Sequence, residues 1–378
     1  MPLDKAKNLM SDWAGGRRPS GMAERLTSGG LRLASAGWWL GAAARSLAFD
    51  TGLKKTGRVD CPVLCVGNLS MGGTGKTPLV MAIARHFRDQ GRKVAIVTRG
   101  YRRVPIRDSR GSRVALVSDG QRLLLPRETA GDEPAMMARH LPGVAIVVGA
   151  QRLEAARLAR REWGADLIVL DDGFQHRALE RDCDVVLWDT LRPPEAAALL
   201  PRGFLREGWE ALRRAHAIVF TRCNLGLPPR RFIAKIKRIA PHLLIFHSAL
   251  EAGEIRSLSV PGRVIPPQTL TSVRTGAFCG LGNPDSFWRL LESLGAQPVW
   301  KHAFPDHYRP DEVELGALLA QARRAGAEHI LITEKDAENL PESWQPEMPV
   351  SIVPVVPSFG ADAGRFYGFL ERYAGQQR

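Results

Sequence analysis

Residues 66–80 read VGNLSMGGTGKTPLV, an apolar run that stops at glycines and gives way to Gly75-Lys76-Thr77. A glycine-rich turn between a strand and a helix gathers backbone N–H groups at one point, which suits phosphate oxygens. The pattern G-x-x-x-x-G-K-[ST] is met at Gly75, Lys76 and Thr77. Its first glycine is replaced by Ser70, and Gly72 and Gly73 supply flexibility within the loop instead. On this reading Lys76 neutralises charge on the β- and γ-phosphates of ATP, and Thr77 offers its hydroxyl to Mg²⁺. Met71, Gly72, Gly73, Thr74 and Pro78 complete the cradle. The alternative is a plain turn without a ligand.

A second stretch, ADLIVLDDGFQH, is an apolar strand that ends in two carboxylates, Asp171 and Asp172. Phosphate-loop proteins hold their metal at such a strand end, and open α/β sheets bind ligands at that edge. One of the two is expected to reach Mg²⁺ directly or through water. The other possibility is a pair of acids that caps the next helix.

Both stretches need a sheet to bring them together. PVLCVGN, KVAIVTRG, VAIVVG, DLIVLDDG, DVVLWD and HAIVFTR read as strands. The segment after Thr77, AMMARHL and RLEAARLARREWG read as helices. Continuous β-branched runs alternating with helical patterns predict a mainly parallel sheet with helices on both faces. The pattern loosens around residues 241–270, where VPGRVIPPQ reads as a connector. Alternation then resumes over TGAFCG, DSFWRLLESLG, PVWKHAF, residues 315–325 and HILIT. The expected division is a loosely ordered extension over 1–30, an amphipathic helix over 31–56 and a phosphate-loop domain over 57–240. The connector over 241–270 and a smaller α/β lobe over 271–378 follow. Two lobes imply a cleft, and clefts between lobes bind ligands.

The chain of 378 residues carries 53 Lys and Arg against 39 Asp and Glu, a formal charge of +14. That balance suits acidic partners: nucleotide phosphates or an anionic membrane surface. No basic run is interleaved with aromatics, so nucleic acid is not expected. Cys61, Cys65, Cys183, Cys223 and Cys279 are odd in number and widely spaced, which fits reduced thiols in a cytoplasmic compartment. No apolar stretch reaches the roughly 18 residues of a membrane span. Residues 31–49, LRLASAGWWLGAAARSLAF, combine Trp38 and Trp39 with a helical apolar stripe and flanking bases. They suit a helix lying in a membrane interface, or one packed on the protein's own core.

GNLSMGGTGKTP, TRGY, GDEP, DDGFQH, LREG, FPDHY and TEKDA occur in that order. Together they resemble the tetraacyldisaccharide 4'-kinase family, the lipid A 4'-kinases. The resemblance implies ATP, Mg²⁺, and transfer of the γ-phosphoryl group to the 4'-hydroxyl of a lipid disaccharide 1-phosphate. It also implies a monotopic enzyme on the cytoplasmic face of the inner membrane, and a monomer is expected. By the same resemblance Asp132 of GDEP is the catalytic aspartate and His307 of FPDHY its partner. A sugar hydroxyl needs a base, and a carboxylate oriented by an imidazole can act as one. Read without the family, Asp132 caps a helix and His307 is a loop residue. Arg99 and Tyr101 of TRGY become substrate or phosphate contacts. Arg206 and Glu207 match an arginine–glutamate pair important in the family, although Arg202, Phe204 and Gly208 depart from its usual text. Lys335 and Asp336 become either cleft-facing support or a surface ion pair, and His176 lies near the nucleotide. A soluble-metabolite kinase or ligase, and a nucleotide-dependent switch, share the phosphate loop. The first does not need the amphipathic start and the second does not need a base at Asp132.

Overall fold

The computed structural model describes residues 22–100, 103–104, 113–194, 197–260, 262–305 and 308–375. The larger of its two main sheets comprises β1 (Val63–Asn68), β2 (Val94–Thr98), β3 (Ala115–Asp119), β4 (Ala145–Val148), β5 (Leu167–Asp171), β6 (Cys183–Asp189), β7 (Ala217–Thr221) and β8 (Leu244–His247). Their order is β3-β4-β2-β5-β1-β6-β7-β8, and every pairing is parallel except β3 with β4. The six apolar runs of the sequence form β1, β2 and β4 to β7. The edge strands β3 and β8 are additional. They are only part-buried, so they lack the uninterrupted apolar run that marks a central strand.

Alternate side chains of the central strands feed opposite faces. Leu64, Val66, Val169 and Leu187 enter one core, with Leu79, Ile83 and Phe87 packed over them. On the other face Val63, Cys65, Ile168 and Leu170 form a second core, and Val186, Trp188, Ile218 and Phe220 a third. The covering helices are α1 (Met22–Asp50), α2 (Lys76–Asp89), α3 (Arg127–Ala130), α4 (Asp132–His140), α5 (Arg152–Leu158) and α6 (Arg230–Ile239). Helix α1 extends through Gly29 and Gly30 from at least Met22, earlier than the boundary near residue 31 that those glycines suggest.

The second lobe contains β10 (Arg256–Ser257), β11 (Thr275–Cys279), β12 (Trp300–Ala303), β13 (His329–Thr333) and β14 (Val350–Val353), ordered β10-β14-β13-β11-β12. Its helices are α7 (Pro267–Ser272), α8 (Pro284–Ser293), α9 (Glu312–Arg324) and α10 (Glu334–Asn339). A two-stranded ribbon, β9 (Ala249–Ala252) against β15 (Val355–Ser358), carries the chain out of the first lobe and back. The last helix, α11 (Ala363–Ala374), then rejoins the first lobe, where Phe366, Phe369 and Leu370 enter the core beneath α2. His86 of α2 bonds Glu371 at 2.9 Å and stacks on Tyr367. Strand β8 and helix α11 thus both belong with the phosphate-loop sheet, outside the 57–240 span read from the sequence.

Candidate active site

Strand β1 ends at Asn68 and α2 begins at Lys76, so residues 69–75 are the loop the sequence marks as a phosphate cradle. Gly75, the last loop residue, has φ +83°, a left-handed conformation that costs glycine nothing. Gly67 lies so close to Phe174 that a Cβ there would stand 2.5 Å from the Phe174 Cβ. The loop is held from outside through its carbonyls. Arg192 donates to the Met71 carbonyl, Arg222 donates to that of Gly73 at 3.2 Å, and the Thr221 hydroxyl donates to that of Thr74 at 3.0 Å. Asn68 Nδ2 donates to Thr74 Oγ1 at 3.0 Å. With these carbonyls committed to arginine and threonine, and the Met71 amide donated to the Phe204 carbonyl at 2.7 Å, the amides from Gly72 onward are the groups left for an anion. Arg192 and Arg222 were not foreseen. They follow β6 and β7 with no motif of their own, and Asp189 fixes Arg222 at 2.5 Å.

Strand β5 lies beside β1 with Val66 opposite Asp171, which brings the acidic strand end to the cradle. Asp171 is buried; its Oδ2 accepts from the Thr98 hydroxyl at 2.9 Å, and its Oδ1 has no protein partner among the described residues. Burial, and then the neighbouring Asp172 charge, push its carboxyl above the ordinary range. Asp172 has φ +50°, a conformation that costs a non-glycine residue about 1–3 kcal/mol and concentrates at functional sites. It lies 3.7 Å from Lys76 Nζ and accepts from Arg206 Nη1 at 2.9 and 3.0 Å. Burial raises this carboxyl, but Lys76 and Arg206 outweigh it and hold it below the usual range. A buried carboxylate oxygen without a protein partner among the described residues, lining the same cavity as Thr77, offers with its hydroxyl an all-oxygen donor set that fits Mg²⁺, which binds few protein ligands and keeps several waters.

Asp132 opens α4 as its first residue; the cap is Gly131, and no side chain caps this helix. The helix-cap reading of Asp132 therefore does not hold. Its Oδ1 accepts from Arg127 Nε at 3.1 Å and from Arg309 of the second lobe. Burial raises its carboxyl, and the bonds and charges of Arg309 and Arg127 more than offset this, leaving it below the ordinary range.

Arg206 is fixed at both ends. Its backbone N–H donates to Leu69 at 2.7 Å, and its carbonyl accepts from the Trp38 indole at 2.9 Å. Glu207 accepts from Arg214 at 2.7 Å. Arg99 and Lys335 line the cavity. Asp336 does not. Its carboxylate turns inward to the Gly280 amide at 2.6 Å and the Thr333 hydroxyl at 2.5 Å, closing the capping box of α10. Neither reading made from TEKDA describes it. His176 is pulled down to about 4 by burial and then by the arginines around it, so its ring is neutral near pH 7. Tyr101 and His307 lie outside the described residues.

The cradle and its acidic neighbours share one cavity of about 1770 Å³. All eight residues from Met71 to Pro78 line it, with Asp132, Asp171 and Asp172, Asn283 and Lys335 of the second lobe, and Trp38 and Arg45 of α1. Ordinary ligand pockets span about 300–1,000 Å³, so there is room for a nucleotide and a large second substrate together.

The family model for tetraacyldisaccharide-1-P 4'-kinase matches residues 28–373. The chain belongs to this family. It is 42% identical over 336 residues to a tetraacyldisaccharide 4'-kinase of Anaeromyxobacter dehalogenans strain 2CP-C, covering 86% of this chain and 84% of that one. A relative of the same name from Halothermothrix orenii is 38% identical over 307 residues, 78% of each chain. Among solved structures, a crystal structure of the family's enzyme from Aquifex aeolicus in complex with ATP superposes with a TM-score of 0.70 at 28% identity. That superposition covers 92% of this chain and 99% of the other. The family membership and the doubly covered parallel sheet agree with the expectations drawn from the seven motifs.

Proposed function

We propose that this protein transfers the γ-phosphoryl group of ATP to the 4'-hydroxyl of a tetraacylated disaccharide 1-phosphate, the kinase step of lipid A synthesis, at a membrane surface. The observation that carries this reading is the composition of the cavity wall. The phosphate cradle, the Asp171–Asp172 strand end and Asp132 form one side, and α1 forms another. Leu33, Leu40 and Leu47 recur every seven residues on α1, are 78%, 60% and 61% exposed, and lie beside exposed Trp38 and Trp39. Such a stripe is suited to lie among lipid headgroups and acyl chains, with the acceptor's sugars reaching the cleft. Among the described residues no helix is long and apolar enough to cross a membrane. The exposed stripe of α1 is what supports an interfacial seat, on the inner leaflet in this proposal.

The loop amides and Lys76 would hold the triphosphate, while Thr77 and Asp171, with Asp172 alongside, would hold Mg²⁺. When bound, that ion neutralises charge on the phosphates. Asp132 takes the proton of the 4'-hydroxyl, with His307 as its partner, and the freed oxygen attacks the γ-phosphorus as the bond to the β-phosphate oxygen breaks. ADP leaves. Arg206 orients Asp172, and Arg99 and Lys335, which line the cavity, would contact substrate phosphates. Closure of the second lobe over the first excludes water, which limits ATP hydrolysis.

The test is phosphoryl transfer from ATP to the lipid disaccharide 1-phosphate with Mg²⁺, on wild type, Lys76→Ala and Asp132→Ala. A general base contributes about 10²–10⁴-fold, so Asp132→Ala is expected to lower kcat by that factor with the fold retained. Lys76→Ala loses most activity. Unlabelled lipid with the folded wild-type enzyme, or full turnover by either variant, refutes the assignment.

A further inference from the structure

The base at Asp132 is not held by its own lobe alone. Helix α3 supplies Arg127, whose Nε donates to Asp132 Oδ1 at 3.1 Å while its Nη2 donates to Asn339 Oδ1 of α10 at 2.8 Å. The second lobe supplies Arg309, which donates to the same carboxylate oxygen. Along the rest of α4 the two lobes are joined again. Arg139 donates to Glu338, and His140 lies 3.3 Å from Glu334 and 3.6 Å from Glu338, both on α10. The seam between α4 and α10 therefore ends at the functional carboxylate.

Both arginines converge on Oδ1. Among the described residues the hydrogen bonds of Asp132 all fall on that oxygen, which leaves Oδ2 for a hydroxyl proton. A carboxylate pinned through one oxygen from two directions has its rotation fixed and its second oxygen aimed. Arg309 itself is half exposed, with a side-chain exposure of 51%, and belongs to none of the hydrophobic cores.

We infer that Arg309 is a positioning residue of the transfer reaction: reaching across from the second lobe, it fixes the orientation of Asp132, so that the proton acceptor is complete only when the two lobes stand together. This rests on the reading of Asp132 as the base. Arg309 touches no reacting atom. The proton still passes from the 4'-hydroxyl to Asp132, and the arginine keeps its own.

The test is a double-mutant cycle read in kcat and KM, with Arg309→Met and Asp132→Asn singly and together, and Arg309→Lys as the conservative variant. Misplacement of a reacting group by about 1 Å costs on the order of 10²-fold, so a loosened carboxylate should lower kcat at least tenfold in Arg309→Met. The KM for ATP should stay within twofold, since the cradle is untouched. Arg309→Lys should recover part of the loss by restoring a donor. In the Asp132→Asn background, Arg309→Met should cost nothing further. If it costs as much there as in wild type, Arg309 acts directly on a phosphate and the inference is wrong. It is equally wrong if Arg309→Met alone turns over normally while Asp132→Asn is slow. If Asp132→Asn is itself fully active, the base assignment fails first and the inference falls with it; the single Asp132→Asn measurement separates that case from the others.

Discussion

Thr98 closes β2 beside β5, and its hydroxyl is the only protein donor to Asp171 among the described residues, at 2.9 Å. Thr98→Val keeps the shape of the side chain and removes only that hydroxyl, so the packing around it is little changed. A hydrogen bond to a charged group contributes about 1.5–3 kcal/mol, and groups that orient metal ligands are worth about 10–100-fold in metal affinity. These ranges agree, since tenfold corresponds to about 1.4 kcal/mol. The Mg²⁺ concentration for half-maximal phosphoryl transfer should therefore rise about 10–100-fold in Thr98→Val, and Thr98→Ser should stay near wild type. Acidity works in the same direction. Asp171 already binds its proton more tightly than an ordinary carboxyl, because burial and Asp172 disfavour its charge. Loss of the Thr98 donor raises it further, and Mg²⁺ must then displace a proton more often. The deficit of the variant should accordingly deepen as pH falls toward the raised value and shrink as pH rises. The assay is transfer rate against Mg²⁺ at fixed free ATP and several pH values, with circular dichroism confirming the fold. A requirement unchanged within twofold would remove Asp171 from the metal site.

Asp132 carries a second pH prediction, from a carboxyl shifted the other way. Held below the ordinary range by Arg309 and Arg127 against its burial, it stabilises the fold above its unfolded value, and that contribution is lost as pH falls through the depressed one. Arg309→Met should move the acid limb of kcat/KM upward, and an unmoved limb would show that another group sets it. For α1, replacing Leu33, Leu40 and Leu47 by Ser should release the protein from sedimenting phospholipid vesicles while ATP binding persists; undiminished sedimentation would place the membrane contact elsewhere.

Much of this site can be read from local text, because strand ends dictate it. The cradle and the Asp171–Asp172 pair follow from apolar runs whose last residues change character, and parallel pairing then puts those ends at one edge. Asp336 went astray for the converse reason. Its neighbour Lys335 does face the cavity, but a carboxylate at the third position of a short helix satisfies the helix start and the Gly280 amide before anything else. Arg192, Arg222 and Arg309 carry no local signal. Each is one arginine among many in a basic chain, and its role depends on which carbonyl or carboxylate the fold brings within reach. The amphipathic stretch left two options open, and the exposure of its leucine stripe answers against a helix packed wholly on its own core.

The return of α11 to the first core has a mechanical meaning. The second lobe is an insertion between β8 and the final helix, tethered at both its ends by the β9–β15 ribbon. A body hung on a single strand can swivel freely, whereas one hung on two hydrogen-bonded strands resists torsion and is left chiefly with bending about the ribbon. Leu250 of that ribbon lines the cavity near Gly75, so bending about the ribbon would pivot beside the cradle. Any swing of the lobe would thereby be reduced to nearly one degree of freedom, and Arg309 would meet Asp132 in one register.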